Sequence, residues 1–378
     1  DVVALNAFLG MLLARSGNFV GATGHLRAAH QARPDDATIA CNLIAVLIDR
    51  KDLPAALEVA TRARALADPS LRVARYRGFV AQSLERFDEA VDAYEHVVAH
   101  AADDFESWNN LGNARSATGD LEGSVAALER AVQLDPQAPP TRLNLAFALR
   151  SLGRLPDSEA VLNRAVVDFP SDARPLHELY VQYKMEMRQD EALPVLERAV
   201  NLDPDNANLQ LKFGIECGLA GRLADAEAAF RRAISLDPAT TAAYLGLAVQ
   251  YEYSNREHEF APLIALAEKN AIPAGSLAFI RALVRRREKR FDDGLASLLL
   301  VPETVEPERT AHLRGQLLDR LGPTDEAFEA FSTTNRLHEA APTKPIQRAS
   351  DLRAQLQAEI EAMTPEWAGA WPVLYLPG

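Results

Sequence analysis

His96 and His100 stand four residues apart, the nearest thing in this chain to a metal-ligand pattern. On a helix that spacing puts both imidazoles on one face, where they could share a divalent cation. No third histidine stands at helical spacing from them, so the pair reads as a surface pair and not as a metal centre. His25, His30, His177, His258, His312 and His338 are scattered. The paired acids Asp103-Asp104 and Asp292-Asp293 fall at turns and helix starts, where capping and the helix dipole account for them. The run Arg285-Arg286-Arg287-Glu288-Lys289-Arg290 has two readings, a solvated helix end or an anion contact. There is no phosphate-binding glycine loop, no dinucleotide fingerprint, no HExxH and no CxxC. The expectation is therefore no catalytic residue, no metal and no cofactor within these residues.

What the chain does carry at regular spacing is amide and guanidinium donors, and their spacing follows a longer period. A proline recurs every 34 residues, at Pro34, Pro136, Pro170, Pro204 and Pro238. Each closes a short polar turn, as in Leu134-Asp135-Pro136 and Leu202-Asp203-Pro204. The missing members fall at Asp68-Pro69 and Ala102-Asp103-Asp104. Proline lacks an N–H and disfavours helix in the residue before it, so each marks the end of a helix. Counting from Phe105 places Trp108, Leu111, Gly112, Leu128, Ala131 and Pro136 at positions 4, 7, 8, 24, 27 and 32, with Ser124 at position 20. Counting from Ala207 places Phe213, Gly214, Ala226, Phe230, Ala233 and Pro238 at 7, 8, 20, 24, 27 and 32. Small residues at 8, 20 and 27 let helix backbones approach, and large ones at 4, 7, 11 and 24 fill the space between neighbours.

This register resembles the tetratricopeptide repeat, a pair of antiparallel helices that stacks into a solenoid. The resemblance implies an all-α, right-handed superhelix of about ten helix pairs. Eight repeats start at Val3, Ala37, Leu71, Phe105, Pro139, Ala173, Ala207 and Thr241, filling 1–274. Two degenerate repeats follow over 275–341. Residues 342–378 hold a linker, a helix expected to cap the array through Leu352, Leu356 and Ile360, and a strand-like tail. In the eighth repeat Phe260 replaces a small residue at a close helix approach, which predicts irregular geometry over 253–310.

In such solenoids the first helix of each pair lines a concave groove through positions 2, 5, 6, 9, 12 and 13. Position 6 reads Phe8, Asn42, Tyr76, Asn110, Asn144, Glu178, Lys212 and Gly246. Its asparagines resemble in part the asparagine ladder of the O-GlcNAc transferase superhelix, which grips peptide amides. An amide side chain donates and accepts at once, so it suits an extended backbone. Asn109 and Asn113 widen the polar patch, and Arg72 and Arg75 add positive charge. The candidate peptide-binding residues are thus Asn42, Arg72, Arg75, Tyr76, Asn109, Asn110, Asn113, Asn144 and Lys212. The competing reading is that these residues hydrogen-bond only to neighbouring inner helices.

Aromatics are 7% of residues and no apolar run approaches the length needed to span a bilayer, which fits a soluble solenoid and excludes a membrane partner. A net charge of −13 argues against indiscriminate binding to nucleic acid or anionic membranes. Cys41 and Cys217 read as small buried residues of a reducing compartment, so a cytoplasmic location is expected. The chain begins at Asp1 without a methionine, and its natural start is expected upstream.

The C-terminal end reads Asp325-Glu326-Ala327-Phe328-Glu329-Ala330-Phe331, then Thr334-Asn335-Arg336-Leu337-His338, a break at Pro342 and Pro345, a helix over 346–363, and Trp371-Pro372-Val373-Leu374-Tyr375-Leu376-Pro377-Gly378. This order is similar to bacterial proteins in which tetratricopeptide repeats precede a sulfotransferase domain. That resemblance implies a phosphate loop and 3'-phosphoadenylyl sulfate in a domain after Gly378, and it carries no catalytic residue into this chain. Three readings follow: a scaffold binding a protein or extended peptide in its groove, the substrate-binding half of a sulfotransferase, and self-association of the array.

Overall fold

The computed structural model describes residues 1–340 and 345–363, and they form helices with no strand among them. The segment Val373–Leu376, expected to be strand-like, lies outside the described residues. The chain divides into two units, Asp1–Leu202 and the residues from Asp203 onward. No described helix is long and apolar enough to cross a membrane.

The first unit runs α1 (Val2–Arg15), α2 (Phe19–Ala32), α3 (Ala37–Asp49), α4 (Leu53–Val59), α5 (Arg62–Ala67), α6 (Arg72–Ser83) and α7 (Phe87–His100). It continues with α8 (Phe105–Thr118), α9 (Leu121–Leu134), α10 (Pro139–Ser151), α11 (Leu155–Asp168), α12 (Ala173–Met185) and α13 (Gln189–Leu202). First helices begin within a residue of the positions that the 34-residue register names. The acidic turns work as caps: Asp36, Asp52, Asp104, Asp120 and Asp172 each accept from a backbone N–H of the following first turn.

Packing between the two helices of a pair follows the size rule. A Cβ built on Gly112, at position 8, would lie 2.5 Å from Leu128 Cγ, at position 24. Only a missing side chain lets α8 and α9 come this close. Ser124, standing where alanine was expected, is accommodated because its hydroxyl donates to the Gly112 carbonyl at 2.7 Å. Ser158 does the same to the Ala146 carbonyl at 2.9 Å. The second repeat departs from the pattern, since its second helix is split into α4 and α5. There the sizes are exchanged, with Ile44 at position 8 and Ala60 at position 24, both fully buried.

The second unit runs α14 (Ala207–Leu219), α15 (Leu223–Leu236), α16 (Thr241–Tyr253), a 3₁₀ turn at Glu257–Glu259, α17 (Phe260–Lys269), α18 (Ala274–Arg287) and α19 (Phe291–Leu298). It ends with α20 (Pro307–Leu321), α21 (Thr324–Glu339) and α22 (Pro345–Ala362). The irregularity expected around Phe260 takes the form of shortened second helices. Phe260 starts α17 and is buried edge-on against the Tyr251 ring, with centroids 6.1 Å apart. The preceding turn is 3₁₀, and α17 and α19 have 10 and 8 residues against 14 in α15.

The capping expectation is corrected in part. The helix forms, but Leu352, Leu356 and Ile360 stay 56%, 47% and 60% exposed. A four-residue stripe fixes the face of a helix and leaves its partner undetermined.

Candidate functional site

The first helices α3, α6 and α8 form a hollow of about 530 Å³ in the first unit. Arg72, Arg75, Tyr76 and Phe79 come to it from α6, Ala45, Ile48 and Asp49 from α3, Glu106, Ser107 and Asn110 from α8, and Tyr94 from α7 behind. Four of the sequence-nominated residues therefore meet here. Phe79 was passed over, although it sits at inner position 9 and leaves 49% of its surface exposed. The signal stands in the sequence, since an aromatic at a groove position has no core reason to be there.

The charges of this hollow are balanced. Arg75 Nε donates to Asp104 Oδ2 at 2.6 Å, and its Nη1 donates to the Ser70 carbonyl at 3.2 Å. Asp104 also caps α8 through Ser107 N–H, so Arg75 is tied to the α8 start. Arg72 is exposed and makes no ion pair with the described residues. Asp49 and Glu106 offset the two arginines. The recess is better suited to a neutral or mixed-charge segment with an apolar side chain than to a purely acidic one.

The asparagines behave differently from a free ladder. Asn144 Nδ2 on α10 donates to Asn109 Oδ1 on α8 at 3.2 Å, and Asn109 Nδ2 reaches Asn110 Oδ1 at 3.4 Å. Asn110 also bonds the hydroxyl of the buried Tyr94, whose titration is pushed up by burial. The Asn144–Asn109 bond thus ties inner helix α10 to α8, whereas Asn110 bonds within α8 and to Tyr94 of α7. Asn42 and Asn113 are half-buried on α3 and α8 outside the hollow, and Lys212 lies on α14 in the second unit. Further along the first unit the same stitching is ionic: Arg150 Nη2 on α10 pairs with Glu178 Oε2 on α12 at 3.0 Å.

The arginine run is resolved by a partner within the chain. Arg287 Nε donates to Glu252 Oε2 at 2.6 Å, Arg286 pairs with the other oxygen of Glu252 and with Gln316 at 2.9 Å, and Arg287 also reaches Glu257 at 3.1 Å. These contacts tie α16 to α18 and α18 to α20. His96 and His100 stack with centroids 4.5 Å apart, and His100 Nδ1 bonds the His96 carbonyl at 2.9 Å. No group of three potential metal ligands occurs among the described residues. Cys41 and Cys217 are both buried.

Two family profiles, both described as tetratricopeptide repeat, match residues 73–139 and 117–182. No curated protein matches the chain. Among solved structures, a tetratricopeptide repeat protein from Parabacteroides merdae is 16% identical, with 66% of this chain and 98% of that one aligned and a TM-score of 0.48. The C-terminal part of a TPR repeat-containing protein from Cytophaga hutchinsonii is 12% identical over 64% and 99%, with a TM-score of 0.51. MamA from Desulfovibrio magneticus is 20% identical over 45% and 97%, with a TM-score of 0.42. The likeness to the Cytophaga hutchinsonii protein is one of fold alone.

Proposed function

We propose, from the premise that this chain is a tetratricopeptide-repeat protein, that it is an interaction scaffold binding an extended peptide segment in the hollow of α3, α6 and α8. One observation carries the reading. On α10 the inner-face donors Asn144 and Arg150 are spent on Asn109 and Glu178 of neighbouring helices, whereas the hollow keeps the exposed guanidinium of Arg72, without an ion pair among the described residues, beside an exposed aromatic, Phe79. An apolar side chain of the segment would seat against Phe79, Tyr76 and Ile48, and its backbone carbonyl or an acidic flank would take Arg72.

The test starts from peptides selected out of a random displayed library on the immobilised full chain. Phe79→Ala and Arg72→Ala should each weaken a selected peptide by about tenfold or more, equivalent to ~1.4 kcal/mol. Arg72 is exposed and Phe79 half-exposed, so the melting temperature should change little. Peptides that bind both variants as tightly as the parent would remove the assignment.

A further inference from the structure

The shortened α19 leaves something behind. It stops at Leu298 after 8 residues, where α15 runs 14, so roughly 9 Å of helical wall is missing at 1.5 Å per residue. In its place opens a groove of about 1000 Å³ between α19, α20 and α21. Leu295, Leu298, Leu318 and Leu337 line it, and its charged lining residues are Glu303, Glu326 and Glu329 against a single cation, Arg314.

The same unit holds a helix whose large apolar side chains are exposed among the described residues. In α22 the stripe Ile346, Ala349, Arg353, Leu356, Ile360 follows three- and four-residue steps, and its large apolar members are exposed. Isolated helices of this length are marginal in water, and most helical stability in proteins comes from burying an amphipathic face. Arg353 interrupts the stripe midway and makes no ion pair with the described residues. A cation within an apolar face suits an apolar groove whose charged lining carries three glutamates against one arginine.

We infer that α22 of one copy of this chain seats in the groove of a second copy, and that the exchange is reciprocal, giving a two-fold dimer. Among the described residues of one chain both surfaces are left open. Two copies satisfy both at once, because a self-complementary pair of surfaces closes about a two-fold axis. The contact is the helix-in-groove mode, with Leu356 and Ile360 as anchors and Arg353 meeting Glu326 or Glu329. It involves none of the residues of the α3, α6 and α8 hollow, so its failure would leave the peptide-binding reading standing.

The experiment uses the full chain in size-exclusion chromatography with light scattering across a dilution series. The parent should be dimeric at the upper end. Leu356→Asp on the exposed helix face, and Thr333→Arg on the groove wall, should each shift it to monomer, a loss of about tenfold or more in dimerisation constant. Mixing the two variants should restore a dimer, because the intact helix of one meets the intact groove of the other. A parent that is monomeric throughout would overturn the inference, including one whose α22 amides are protected from exchange by its own groove. So would a dimer indifferent to both substitutions, or variants that fail to complement.

Discussion

Asp68 is 4% exposed at the end of the split second helix, and its carboxylate does the work of a whole turn. Oδ1 accepts from the Ser70 N–H and hydroxyl at 3.0 and 2.7 Å, and Oδ2 from the Val73 N–H at 2.9 Å. Burial by itself would raise its pKa, but the hydrogen bonds from Val73, Ser70 and Arg72 outweigh it and hold the group below the usual carboxylate range. A depressed folded-state pKa stabilises above the unfolded value of about 3.9 and loses that stabilisation as pH falls through the folded value. Asp68→Asn should therefore cost about 1–3 kcal/mol at neutral pH by urea denaturation. The gap should narrow as pH falls through the folded-state value, where the parent's carboxyl becomes protonated too; an undiminished gap would contradict the assignment. Asn144 calls for a second measurement. Because it donates to Asn109, Asn144→Ala should cost about 0.5–1.5 kcal/mol, and adding Asn109→Ala should cost less than it does alone. Strict additivity would show that the pair does not couple. The inner positions of the register named the correct helix face, and Arg72, Arg75, Tyr76 and Asn110 do converge. What they could not give was the separation of α8 from α10, on which it depends whether facing asparagines greet a ligand or each other.

At the scale of the helix, the contact between positions 8 and 24 sets how closely each pair packs. Gly112 has no room for a side chain against Leu128, and Gly315 is in the same position against Phe331, 2.7 Å from a built Cβ. Gly112→Ile should destabilise by about 1–3 kcal/mol through overpacking. The second repeat already shows the compensated form, with Ile44 opposite Ala60. Gly112→Ile combined with Leu128→Ala should recover part of the loss, measured as a double-mutant cycle in urea; a double variant no better than Gly112→Ile would sink the size-exchange argument. The helix break beside Ala60 was not legible, because no proline or glycine marks it. Its backbone is satisfied by side chains from elsewhere. Thr61 accepts from Arg64 N–H at 3.3 Å, Arg64 Nη1 donates to the Val59 carbonyl at 2.8 Å, and the buried Arg77 donates to the Ala60 carbonyl at 2.9 Å. Arg64 and Arg77 are ordinary residues until the chain brings them to that gap.

For the whole molecule, the fold was readable because every repeat packs mainly against its neighbours, so a register along the sequence is also a map of contacts. The same locality hid the fate of α22, whose stripe predicts a helix and names no neighbour. It also implies that stability is distributed repeat by repeat, with the weakest interface opening first. In the second unit that place is 257–306, where α17 and α19 are short and the chain between α19 and α20 has no helix. The Glu252 ties to Arg286 and Arg287 compensate by holding α16 to α18 across the short α17. Removing one member of a partly buried ion pair leaves the other uncompensated, so Glu252→Gln should loosen this region more than a surface charge loss would. Native-state hydrogen exchange of the full chain should show α17 and α19 exchanging about tenfold or more faster than α15 and α21, corresponding to at least ~1.4 kcal/mol less protection. In Glu252→Gln the protection of α16 to α18 should fall further, while that of α14 and α15 holds. Equal protection from α14 through α21 would mean that the unit opens as one block, and the repeat-by-repeat account of its stability would fail.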